Sequence, residues 1–223
     1  SAVFAKQVAT TFPECAKALG KKGVHTGTPM RKELFEGSRE KGLAFAGFTG
    51  EKPVLLMMGG SQGAQAVNEA LRAALPDVLP HMDVLHLCGK GKLQADLAGT
   101  KGYFQAEFVD KELSDVLAAA DLVLSRAGAT AISEFLALKK PMLLVPLPLG
   151  SSRGDQIVNA DNFKQRGLAL VLPQEQMTAD SLKDALMELM DKADEMKAAM
   201  AKEPSADGSQ AVLDLIEQLR KRK

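Results

Sequence analysis

Three glycines, Gly59, Gly60 and Gly63, stand between an apolar run and a patterned one in "VLLMMGGSQGAQAVNEAL", residues 54–71. Glycine lets a backbone turn sharply after a buried strand, and a helix that starts at once leaves unpaired N–H groups and the positive end of its dipole at the turn. Such a place favours an anion, most naturally a phosphate, and Ser61 adds a hydroxyl there. The competing structural use of these residues is a tight strand-to-helix turn in which glycine serves only close packing.

What is missing narrows the phosphate ligand. Gly63 is followed by Ala64 and Gln65, so the lysine that ends a triphosphate-binding P-loop is absent. The next apolar run ends "HLCGKGK", residues 86–92, without the acid that holds the adenosine ribose of a dinucleotide. ATP and NAD both lose ground.

Two later stretches extend the pattern. In "LSRAGATAISEFLALKKP", residues 124–141, Arg126, Gly128 and Ala129 form a second small-residue turn that opens a helix and offers a second set of N–H groups. Glu134 lies further along that helix, where a carboxylate can accept two hydrogen bonds from a vicinal diol such as a ribose, or can simply be a solvated helix glutamate. The long loop "LPLGSSRGDQIVNA", residues 147–160, carries Asp155, Gln156 and Asn159 at a helix start. Neutral amides of this kind read sugar hydroxyls, and Asp155 has the alternative use of an N-cap. An anion cradle, a diol acceptor and hydroxyl readers together point to a nucleoside diphosphate carrying a sugar. Breaking the bond between sugar and diphosphate puts charge on the leaving phosphate, which aimed N–H groups and an arginine can stabilise without a metal.

The elements that must position these turns are short, nearly continuous apolar runs alternating with helical stretches. Strands are predicted at Val54–Met58, Val84–Cys88, Tyr103–Phe108, Leu122–Ser125, Met142–Pro146 and Leu168–Leu172, with helices near 64–78, 112–120, 131–138, 156–166, 178–190, 193–201 and 211–219. Strands apolar on both faces belong in a covered parallel sheet. The alternation predicts a Rossmann-like, doubly wound α/β domain that binds ligands outside the carboxyl ends of its strands. Residues 1–30, with short apolar pieces at Val8–Phe12 and Val24–Thr26, stand outside the alternation. With Ser1 in place of an initiating Met, they make this chain read as a piece of a longer protein.

Composition fits a globular domain: 223 residues, 46% hydrophobic and 25% charged, with 28 basic and 28 acidic residues. Zero net charge argues against nucleic acid as a partner. Cys15 and Cys88 form no metal or redox spacing, and reduced thiols in a cytoplasmic protein are expected. His25, His81 and His86 offer no convincing catalytic base, and His86, inside an apolar run, is expected to be a satisfied core histidine.

"GGSQGAQAVNEAL", "SRAGATAISEFLALKKPMLLVP" and "RGDQIVNA", in this order, closely resemble the donor-binding half of the MurG-type N-acetylglucosaminyltransferases. These are family 28 enzymes of GT-B architecture that convert lipid I to lipid II in peptidoglycan synthesis. The resemblance spans about residues 8–220. It implies that residues 1–30 are a remnant of the N-terminal acceptor domain and hinge, that 31–202 form the UDP-GlcNAc-binding domain, and that 203–223 cross back. It further implies that Arg31, Gly60, Ser61, Gln62 and Gly63 meet the diphosphate. Val109 would hold the uracil edge through its main chain, and Gly128, Ala129 and Thr130 would add main-chain contacts. Glu134 would bind the ribose, and Asp155, Gln156 and Asn159 would face the sugar.

The resemblance implies no cofactor, no metal ligand and no catalytic residue in this chain, and it leaves lipid I to the missing domain. The full-length protein would lie peripherally on the cytoplasmic face of the membrane. Rival readings are a sugar-nucleotide epimerase of the same architecture, which needs acid–base residues not evident here, and a non-enzymatic nucleotide-sugar sensor. "RGDQ" places Asp155 where some relatives carry glutamine, which bears on sugar selectivity.

Overall fold

The computed structural model describes residues 4–60, 64–151, 154–203 and 207–221. Strands β1 (Val8–Thr10) and β2 (Gly23–His25) pair in parallel, connected through helix α1 (Pro13–Ala18), whose first residue is the proline that a helix start tolerates. Helix α2 (Arg39–Ala46) follows. Ser38 caps it, accepting from Lys41 N, and Gly47 ends it in the left-handed region at φ +71°.

A six-stranded parallel sheet then forms from β3 (Val54–Met58), β4 (Asp83–Leu87), β5 (Tyr103–Ala106), β6 (Leu122–Ser125), β7 (Met142–Leu144) and β8 (Leu170–Val171). Its order is β5-β4-β3-β6-β7-β8. Between the strands run α3 (Gln65–Val78), α4 (Leu113–Ala119), α5 (Ala129–Ala137) and α6 (Asp155–Gln165), and after them α7 (Ala179–Asp191), α8 (Ala193–Met200) and α9 (Ser209–Lys221). Val54, Leu55, Leu56 and Met57 are all wholly buried, so both faces of β3 are covered and the continuous apolar run is explained. Counted from β3, the order runs 3-2-1-4-5-6. The chain reverses direction across the sheet between β3 and β6, and the turns after these two strands flank the crevice where such sheets take ligands.

All six predicted main-sheet strands and every predicted helix are present. The strands are shorter than their apolar runs. Pairing stops at Leu87, Ala106 and Leu144, while Cys88 and Val145 stay buried just beyond.

Helix α2 packs its backbone directly on α4. A Cβ at Gly42 would lie 2.1 Å from Asp115 O, so this position admits only glycine without a shift. Asp115 accepts from Ser38 N at 2.7 Å, and Arg39 grips both oxygens of Asp121 at 2.9 Å. Asp121 in turn accepts from Val54 N, which ties α2 to the start of β3.

The segment before α2 meets the segment before α9. Thr28 bridges Asp207, Gly208 N donates to Thr28 O at 2.9 Å, and Met30 N donates to Asp207 Oδ1 at 3.2 Å. Hydrogen bonds from Ser209, hydroxyl first and backbone N–H second, hold the Asp207 carboxyl below its usual pKa. Nearby, Phe12 meets Phe163 edge to face at 6.0 Å, and Arg166 pairs with Glu203.

Candidate functional site

The first wall of the site is the turn after β3. A Cβ on Gly59 would come within 2.6 Å of Ala64 N, and Gly60 has φ +82°, so each glycine is required for its own reason. Ala64 precedes the first helical residue of α3, and the first helical bond runs from Asn68 N to Ala64 O at 2.8 Å. The N–H groups of Gln65, Ala66 and Val67 therefore have no acceptor within their helix. Ser61, Gln62 and Gly63, expected at the diphosphate, lie outside the described residues.

The second wall is the turn after β6. Ser125 Oγ donates to Met58 O at 2.7 Å and locks the ends of β3 and β6 together, so the two turns are neighbours. Gly128 precedes α5 with an ordinary φ of −70°, and a Cβ there would meet nothing within 4 Å. Neither conformation nor internal packing asks for glycine; the space beside it stays open. Ala129 and Thr130 are the first residues of α5.

Arg126, at the start of this turn, is taken up within the fold. Its guanidinium donates to Val145 O at 3.0 Å, Pro146 O at 3.3 Å and Gln174 Oε1 at 2.6 Å, binding the end of β7 rather than facing a leaving group. Burial lowers its pKa. Arg31 is exposed just before a short 3₁₀ turn at Lys32–Phe35. It sits close enough to Glu134 to pull that carboxyl down while burial, the larger effect, raises it. Glu134 is thus half-buried rather than a solvated surface residue. Among the described residues none donates a hydrogen bond to its carboxylate.

The third wall is the rim beyond β4, β5 and β7. Gly89 N still bonds Glu107 O, after which the chain leaves β4. Val109 packs partly against the core. Phe108 beside it, predicted to end an apolar strand, lies past the end of β5 and is 69% exposed. Gln156 Oε1 accepts from Leu147 N at 3.1 Å, and Asn159 Nδ2 donates to Ala127 O at 3.0 Å. Each amide thus braces a loop of the site with one atom, which leaves Gln156 Nε2 and Asn159 Oδ1 outside those two bonds. Asp155 is exposed at the first helical position of α6, and Gly154, at φ +84°, occupies the cap position that Asp155 was a candidate for.

His86 is wholly buried between Tyr103 and Asn68, the satisfied core histidine expected. Cys15 and Cys88 are free thiols. Among the described residues there is no cluster of three or more His, Cys, Asp or Glu that could hold a metal, and no helix long and apolar enough to cross a membrane.

A sheet in this order, with two helix N-termini beside its switch point, defines a Rossmann-like, doubly wound α/β domain. Residues 54–219 match the glycosyltransferase family 28 C-terminal domain, and the chain belongs to that family. It is 48% identical over 215 residues to a protein of Geobacillus thermodenitrificans named UDP-N-acetylglucosamine–N-acetylmuramyl-(pentapeptide) pyrophosphoryl-undecaprenol N-acetylglucosamine transferase, covering 96% of this chain and 60% of that protein. A Bacillus cereus relative with the same name, numbered 2, is 46% identical over 217 residues, covering 97% of this chain and 61% of its own length.

The crystal structure of Acinetobacter baumannii MurG superposes with a TM-score of 0.71 at 26% identity, covering 96% of this chain and 60% of that one. The kitacinnamycin glycotransferase shares the fold alone, with a TM-score of 0.70 at 18% identity over 96% of this chain and 54% of its own. The fold is that of the C-terminal domain of a GT-B glycosyltransferase. The chain spans about three-fifths of the length of the curated relatives it matches.

Proposed function

We propose that this chain is the donor-binding part of an inverting N-acetylglucosaminyltransferase that acts in peptidoglycan synthesis, with UDP-GlcNAc as donor and lipid I as acceptor. Residues 31–202 bind the donor in this reading. Residues 1–30 belong with the acceptor-side half, and 203–223 return toward it. Lipid I and the catalytic base belong to the part of the relatives' length that this chain does not match. The complete protein works peripherally on the cytoplasmic face of the membrane, and the chain alone binds donor without turning it over.

The supporting observation is the pair of helix N-termini at the switch point together with Glu134. The first-turn amides of α3 and α5, with Arg31, surround the place where a diphosphate would lie. When the acceptor oxygen attacks the anomeric carbon, the bond to the β-phosphate oxygen breaks and its electron pair stays with UDP. Dipoles already aimed at that oxygen stabilise the new charge without reorganising. Glu134, half-buried and with no hydrogen-bond donor among the described residues, accepts from the ribose hydroxyls. Phe108 offers a ring face on which uracil stacks, beside the Val109 main chain that meets its edge. Gln156 Nε2 and Asn159 Oδ1 face the sugar, with Asp155 next to them.

The test is calorimetry with UDP-GlcNAc, UDP-glucose, UDP, GDP and NAD. Uridine nucleotides are expected to bind, and at about a hundred times the dissociation constant to stabilise the chain by about 2.7 kcal/mol. Binding of NAD without UDP, or transfer of sugar by this chain alone, defeats the reading.

A further inference from the structure

Asn68 is a wholly buried amide on the face of α3 that otherwise carries Val67, Leu71, Ala74 and Leu75. Its Nδ2 donates to Cys88 O at 2.8 Å, and its Oδ1 meets His86 Nε2 at 3.0 Å. His86 Nδ1 meets the Tyr103 hydroxyl at 2.8 Å. The order of protons along this line is forced. A main-chain carbonyl only accepts, so the Asn68 NH₂ faces Cys88 and its oxygen faces the ring. His86 Nε2 must then carry the proton, its Nδ1 must accept, and the Tyr103 hydroxyl must donate. Burial first, and the Arg72 charge second, push the imidazole pKa down to about 3, so the ring stays neutral and the order holds.

Three apolar side chains would fill this volume at least as favourably, because a buried hydrogen bond returns little beyond the water contacts it replaces. A hydrogen bond adds something that dispersion does not: it fixes one element along another. The two ends of the line locate the place where that matters. Cys88 O is at the carboxyl end of β4, and Asn68 lies one turn inside the N-terminus of α3. On the other side of that N-terminus, Gly59 lets the backbone close against Ala64. Arg72, one turn further along α3, repeats the grip by donating to Lys92 O and Gln105 Oε1.

We propose that Asn68, oriented by His86 and Tyr103, is a positioning residue that sets the height of α3 against β4, so that the first-turn amides of α3 meet the diphosphate of the bound nucleotide. This rests on the donor-binding reading above. Asn68 touches no ligand; it acts through the helix that does.

The experiment compares UDP with uridine, which lacks the diphosphate, by NMR titration of the 223-residue chain and its variants. Asn68→Leu is expected to weaken UDP at least tenfold and uridine less than twofold, with a cooperative melt retained. Tyr103→Phe is expected to produce a smaller loss of the same kind. Equal losses for UDP and uridine, or unchanged UDP binding in folded Asn68→Leu, overturn the proposal.

If Asn68→Leu does not fold, the imidazole nitrogen shifts of the unmodified chain decide. The Nε2–H tautomer, neutral down to pH 5, is expected; the Nδ1–H tautomer or titration near pH 6.5 overturns it. Failure of the underlying reading looks different. In that case the unmodified chain itself shows no preference for UDP over uridine.

Discussion

Glu134 lies within the electrostatic reach of Arg31: burial raises the Glu134 carboxyl, and the Arg31 guanidinium draws it part of the way back. A raised carboxyl sets two slopes of opposite sense. For folding, the carboxyl is neutral in both states well below its ordinary pKa, and it is ionised in both above the raised one. Stability therefore falls as pH climbs through that window and stays at the lower level above it. For binding a diol, the ionised form is needed, so affinity is lost as pH drops through the raised pKa, earlier than for an ordinary glutamate. Calorimetry of UDP from pH 7.5 to 4.5 tests the second slope; a flat profile removes Glu134 from the ribose. Glu134→Ala should cost UDP about tenfold or more, since hydrogen bonds to a charged group contribute about 1.5–3 kcal/mol each. The same change should leave the melting temperature at neutral pH unchanged or higher.

Phe108 is largely exposed and adds little to the core. Stacking of a base on an aromatic ring is worth about 1–3 kcal/mol. Phe108→Ala should thus weaken UDP and uridine by a similar factor, five- to a hundredfold, while the denaturant midpoint stays put. A variant with full affinity for both would mean the base lies elsewhere.

Two glycines should part ways. Alanine usually stabilises a helix interior over glycine by about 1 kcal/mol. At Gly42 the added Cβ would meet Asp115 O at 2.1 Å, so the sign reverses and Gly42→Ala lowers the denaturant midpoint. At Gly128 the added methyl meets only open space, so Gly128→Ala costs at most about 1 kcal/mol of stability through the helix cap. Its larger effect is on UDP affinity, because the methyl projects where the ligand would lie. Parallel urea melts and UDP titrations of both variants separate the two outcomes.

His86 links the fold to acid. Its imidazole pKa drops from an ordinary 6.5 to about 3 in the folded chain. Stability from this group is complete above pH 6.5 and is lost as pH falls toward the folded value, because the unfolded chain takes up the proton first. At pH 5 the loss is about 2 kcal/mol, at 1.36 kcal/mol per unit. Urea midpoints at pH 7 and pH 5, compared with those of His86→Gln, should show this difference vanish in the variant.

The sheet was legible in the sequence because parallel strands buried on both faces leave unbroken apolar runs, as in Val54–Met58. Strand ends were less so. Val145 is as buried as the paired Leu144, and apolarity cannot tell the two apart. Helix α2 leaves little trace in the sequence because "REKGLAFA" has only a weak apolar stripe and is held by backbone contact through Gly42. Its capping Ser38 and terminating Gly47 were the signals that could have found it.

The two strand-to-helix turns were legible as small-residue stretches, but the partners of their side chains were not. Arg126 reads only as part of a small-residue turn, and the structure shows it bound to the carbonyls of Val145 and Pro146. Partners so distant in sequence leave no local mark, and the electrostatic influence of Arg31 on Glu134 is hidden for the same reason.

The bonds between Thr28 and the Asp207–Gly208 pair bring together two points far apart along the chain. Everything from Arg31 to Glu203 leaves and returns through that one seam. Such a body has the geometry of a cassette: its two ends are near neighbours, the condition under which insertion into a host chain and circular permutation are tolerated. A segment whose two ends meet in this way is transplantable in principle.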